Sequence, residues 1–153
     1  MLRTNIRRAS LLLALAVFIF APACRRSTSL VLDKTPAQRV AVYNGVLAES
    51  VRAATETAIG FERSGILTRA QVLQVLDYTE RAANTSKAVA IIQQTPGDWT
   101  VLAPQIRTVL NNISPPGDFA KWLSATPAEA KAMSACLDAI QSTVTILIRE
   151  VSK

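Results

Sequence analysis

Catalysis needs nucleophiles, proton carriers or metal ligands, and this chain holds few of them. Its 153 residues include no histidine and two cysteines, Cys24 and Cys136. Without histidine, the usual activation of a serine or cysteine nucleophile is lost, as is the commonest metal ligand. Two cysteines far apart do not make a zinc site. Carboxylates and hydroxyls remain, among them Glu49, Asp77, Tyr78 and Glu80. Their spacing predicts outward helix faces rather than a converging pair, so general acid–base chemistry is not expected. The five glycines form no phosphate-cradling loop. The expectation is a non-enzyme with no cofactor and no metal.

Cys24 has the more distinctive setting of the two cysteines. Arg3, Arg7 and Arg8 give a basic start, an unbroken apolar run follows from Leu11 to Ala21, and Pro22 stops it. A bilayer core of about 30 Å needs roughly 20 apolar residues in a helix rising about 1.5 Å each, so this run is short for a membrane span. A positive start, a run of that length and small residues at a cut site describe a secretory signal peptide. Ala21-Pro22-Ala23 has the form read by ordinary signal peptidase. With the cysteine added, Ala21-Pro22-Ala23-Cys24 resembles the lipobox of bacterial lipoproteins. That resemblance implies cleavage before Cys24, lipidation of its sulfur and attachment of the new N-terminus to a membrane. It covers only the signal segment and departs from the family pattern, which favours Leu where Ala21 stands and rarely has Pro where Pro22 stands. An uncleaved anchor is a third outcome. The plain reading of Cys24 is an idle thiol or half-cystine near a chain end.

Residues 1–23 are thus read as signal peptide, 24–34 as a tether and 35–153 as the folded domain. The domain length suits one hydrophobic core. The chain carries 17 basic and 11 acidic residues, and three of the basic ones lie in the signal. The remaining excess of three is mild and scattered apart from Arg25-Arg26. No basic stripe interleaved with aromatics is present, so nucleic acid is not an expected partner. Arg25-Arg26 could meet anionic lipid at a membrane surface or simply be solvated.

The elements beyond the tether read as helices. Thr35-Pro36-Ala37-Gln38 is an N-cap, a first-turn proline and a capping box. From there Val40, Tyr43, Leu47, Val51, Ala54, Ala58 and Phe61 define one apolar face, which Gly65 ends. Gly45 and Gly60 inside that helix would mark close packing or a bend. Thr68 to Gln71 is a second capping box. The helix from Arg69 to Gln94 has an expected inner face of Val72, Val75, Leu76, Thr79, Ala83, Ser86, Val89, Ala90 and Gln93. The small, polar middle of that face fits either a tight helix crossing or a polar cavity.

Thr95-Pro96-Gly97-Asp98 breaks the chain. A turn at Trp99–Leu102 capped by Asp98 is expected, then a restart at Pro104 carrying Ile106, Val109, Leu110 and Ile113. Asp118 to Leu123 reads as a short helical turn, with Trp99 and Trp122 closing the ends of the core. Thr126-Pro127-Ala128-Glu129 is a third capping box. The last helix carries Met133, Leu137, Ile140, Val144, Leu147 and Val151 at alternating steps of four and three, a bundle seam. Cys136, beside that seam, is expected to be a buried structural thiol.

Three long amphipathic helices and one shorter broken helix, with no alternating strand pattern, predict an all-α, up-and-down bundle behind the signal peptide. Two roles fit. One is an envelope protein held at a membrane by its N-terminal lipid, structural or binding a protein partner. The alternative is a carrier for a small apolar ligand between helices, either anchored or secreted in soluble form.

Overall fold

Thr35 begins the first helix as its neighbours dictate. The Gln38 N–H donates to Thr35 Oγ1 at 3.3 Å, and the Thr35 N–H donates to Gln38 Oε1 at 3.0 Å. Both arms of the capping box are therefore closed, and Pro36 loses nothing by lacking an N–H in the first turn. The computed structural model describes residues 33–114 and 130–153. Contacts divide the chain into Met1–Lys34 and Thr35–Lys153, and every described helix belongs to the second unit. The segment expected to be signal peptide, and the expected tether as far as residue 32, with Cys24, lie outside the described residues. So do the Asp118 turn, Trp122 and the third capping box.

Helix α1 spans Pro36–Arg63. It ends where Gly65 takes φ +73°, a left-handed conformation that costs glycine little. Helix α2 spans Arg69–Gln94 behind a second closed capping box at Thr68 and Gln71. Helix α3 spans Trp99–Leu110 and α4 spans Ala130–Val151. Among the described residues the fold is all-helical, without strands. None of these helices is long and apolar enough to cross a membrane.

The expected break in α3 is absent. Pro104 is its sixth residue, and the helix runs through it. Proline here removes one backbone bond, to the carbonyl of Thr100, which is exposed and open to water. Buried Leu102 and Ala103 before Pro104, with buried Ile106 and Leu110 after it, hold both halves to the core. Asp98 precedes the helix but makes no side-chain cap bond. The first turn is closed instead by the N–H groups of Val101 and Leu102 donating to the Asp98 carbonyl.

Helix α1 packs against α2 and α4, and α3 packs against the same two helices. Gln93 of α2 donates to the Ala37 carbonyl, and Asn44 of α1 donates to the Ser86 carbonyl. Rising numbers in α1 meet falling ones in α2, so the pair is antiparallel. Arg39 meets Glu150 and Thr57 meets Cys136, so α1 and α4 are antiparallel too. The shared core of this helical bundle includes Leu47, Tyr78, Ile106, Met133, Ile140 and Leu147.

All six seam residues of α4 are buried, as their spacing predicts. In α1, the buried column is Val40, Asn44, Leu47, Val51, Ala54, Ala58 and Phe61. Tyr43 is half-buried at its edge. In α2, Tyr78, Ala82 and Thr85 join Val72, Val75, Thr79, Ser86 and Val89, whereas Leu76, Ala83, Ala90 and Gln93 are only half-buried. Gly45 and Gly60 mark no close approach, since a Cβ at either would meet no neighbouring atom within 4 Å.

Candidate functional site

The acids singled out from the sequence do not converge. Glu49 and Asp77 are exposed and engaged in local ion pairs, Glu49 with Arg52 at 2.7 Å and Asp77 with Arg81 at 2.8 Å. Such surface pairs contribute little to stability. Arg52 also reaches Glu56 at 3.6 Å, one turn further along α1. Glu80 is exposed on the outer side of α2. Tyr78 is not a surface hydroxyl; it is among the largest fully buried side chains. A helix packed by two neighbours buries a wider face than one stripe, and the Tyr78 ring falls within it. Burial pushes its phenol above the ordinary tyrosine value, with Arg81 opposing.

Cys136 is half-buried rather than fully buried, and it is a free thiol. Its Sγ lies 4.0 Å from Thr57 Oγ1 of α1. Desolvation raises its pKa, and the contact with Thr57 opposes that shift. A raised pKa disfavours the thiolate, the reactive form. This environment suits packing rather than redox work.

Two polar groups that the sequence reading passed over are deeply placed. Glu150 is buried near the end of α4, where Arg39 Nε donates to its carboxylate at 2.7 Å and Lys153 Nζ at 2.6 Å. The Lys153 bond is the largest influence on its pKa. Burial works against it, Arg39 adds to it, and the net result is a carboxyl below its usual range. The available signal was a column, since Cys136, Thr143 and Glu150 recur at steps of seven beside the seam. Asn44, the second such group, donates from Nδ2 to the Ser86 carbonyl at 3.0 Å. Its Oδ1 is buried without a hydrogen-bond partner among the described residues.

The small, polar stretch of α2 packs against α1, where Asn44 donates to the Ser86 carbonyl and Thr79 and Ser86 are buried. The same stretch borders two shallow grooves of about 500 and 310 Å³ along the α1/α2 face, both open to solvent. Neither is an enclosed cavity of the kind that buries most of a small ligand. Among the described residues no cluster of three or more potential metal ligands occurs. Comparison with protein-family models, with curated proteins and with solved structures finds no match for this chain.

Proposed function

We propose that this is an exported bacterial protein, cleaved before Cys24 and lipidated there, whose helical domain works at the cell envelope without catalysis. The domain is read as an up-and-down bundle that acts structurally or by binding an envelope partner. One observation carries the reading: an apolar run from Leu11 to Ala21 sits between Arg8 and Ala21-Pro22-Ala23-Cys24. Two features are consistent with it. The helical unit begins at Thr35, which leaves residues 24–34 for a tether. The carboxylates Glu49, Asp77 and Glu80 face solvent rather than one another. The α1/α2 grooves are open, so they lend no support to a carrier that encloses its ligand. A cysteine bearing two or more acyl chains anchors stably, since each buried CH₂ contributes about 0.8 kcal/mol.

Metabolic labelling with a fatty-acid analogue tests the anchor. Wild type is expected to incorporate label, and Cys24→Ser is expected to incorporate none. Equal labelling of the two proteins, or none in either, rules out a lipid on Cys24.

A further inference from the structure

The outer face of the α1/α2 pair combines small residues with two exposed charges of opposite sign. Ala41, Gly45 and Ala48 on α1 and Ala83 and Ala90 on α2 keep this face low, which creates the two shallow grooves. Lys87 borders the first groove and Glu80 the second. Neither makes an ion pair among the described residues, whereas Arg52 and Arg81 are both paired with acids nearby. Seven residues separate Lys87 from Glu80. They therefore lie on one stripe of α2, two turns and about 10 Å apart.

We propose that this face binds a second copy of the same chain, with the two α2 helices antiparallel about a two-fold axis level with Ala83 and Asn84. A half-turn about that axis sets Lys87 of each copy opposite Glu80 of the other, so one symmetric operation makes two ion pairs. The same register brings Ile91, 66% exposed on that stripe, opposite Leu76 of the second copy. A parallel pairing would instead oppose Glu80 to Glu80 and Lys87 to Lys87, and like charges in opposition disfavour it. Two-fold interfaces use one self-complementary patch, and this patch carries both signs at matched distances from its centre. Its size also fits. Helix α2 has 26 residues. At 1.5 Å per residue and about 10 Å per helix width, the α1/α2 face offers roughly 800 Å² per copy, the share each partner gives to a standard interface. The proposal rests on this face alone and holds whether or not Cys24 carries lipid.

Sedimentation equilibrium on the full-length protein in mild detergent tests it, with circular dichroism confirming that each variant is folded. Wild type is expected to dimerise, more weakly at high salt. Lys87→Glu and Glu80→Lys each place two like-charge pairs in the interface and should weaken the dimer by about tenfold or more. The double variant Lys87→Glu/Glu80→Lys restores both pairs with reversed polarity and should return to within a few-fold of wild type. Ile91→Ser, which touches neither charge, should also weaken association. A wild-type protein that stays monomeric overturns the proposal. So do single-charge variants that dimerise as wild type does, a double variant no better than the singles, or an Ile91→Ser protein that associates undiminished.

Discussion

Asn44 occupies a position where a regular step of four and three along α1 calls for an apolar residue. Val40, Leu47, Val51, Ala54, Ala58 and Phe61 fill the rest of that column. Hydropathy favours Tyr43 for the place, and geometry gives it to Asn44, which the backbone carbonyl of Ser86 makes tolerable by accepting one of its protons. Glycine shows the opposite case, a residue with no structural demand upon it. Gly60 is exposed within α1, and a Cβ there meets open space. Gly60→Ala should therefore raise stability by about 0.4–1 kcal/mol, chiefly by restricting the unfolded chain. An unchanged or lower denaturation midpoint would show that this backbone needs glycine. Cys136 gives a chemical test of burial. Its half-buried sulfur and raised pKa predict slow alkylation of the folded protein near neutral pH and fast alkylation in denaturant. Equal rates in the two states would mean that its environment is open.

Elements differed in how far their sequences disclosed them. The seam of α4 was fully legible, because its steps fall on Met, Leu, Ile and Val, and all six side chains are buried. The starts of α1 and α2 were legible from Thr and Gln three residues apart, and both capping boxes form. The inner face of α2 was legible only in part. Thr79 and Ser86 fall on it by their steps of three and four and are buried, whereas Tyr78, Ala82 and Thr85 are buried off the expected stripe. Thr79 is tolerated inside because its hydroxyl donates to the Leu76 carbonyl of its own helix at 3.0 Å. Thr143 of α4 does the same to Ala139 at 2.7 Å. The continuity of α3 was hidden for another reason, since one local rule about Pro104 was outweighed by core contacts on both sides of it. Of the candidate site, Glu49, Asp77 and Glu80 were legible as surface residues. The column of Cys136, Thr143 and Glu150 points only to the burial of Glu150, and its contact with Arg39, far away in sequence, is contained in no local pattern. The seam supplies the measurable consequence at this scale. Leu137→Ala and Ile140→Ala should each cost about 2–5 kcal/mol in chemical denaturation. Arg52→Ala should stay within about 0.5 kcal/mol of wild type, because its ion pairs are solvent-exposed. Comparable effects from all three would contradict the division between core and surface.

At the scale of the whole domain, α4 closes the bundle by returning to α1, the first helix. Apolar packing makes most of that closure, and it is non-directional, so it sets the register of the two helices loosely. The polar end contact is directional. Arg39 lies one turn into α1 and Glu150 one residue from the end of α4, and they meet at 2.7 Å with Glu150 almost wholly enclosed. Lys153 closes the other side of the carboxylate. Because these cations hold Glu150 below the ordinary carboxyl range, its charged form is favoured by folding. The stabilisation is therefore complete above the unfolded-state value of about 4.3 and is lost as pH falls through the lower, folded-state value. Glu150→Gln keeps the shape of the side chain and removes the charge, which leaves Arg39 without its buried partner. The variant should be less stable than wild type by about 1–3 kcal/mol near pH 7, since hydrogen bonds to charged groups fall in that range. On acidification wild type should lose the advantage while the variant, having no proton to take up at this position, changes less. The two denaturation midpoints should draw together as pH falls below the unfolded-state value of about 4.3 and the folded carboxyl in turn takes up its proton. A difference that persists undiminished through acidification would place the effect in packing rather than charge, and no difference at pH 7 would mean that the ion pair does not hold α1 and α4 together.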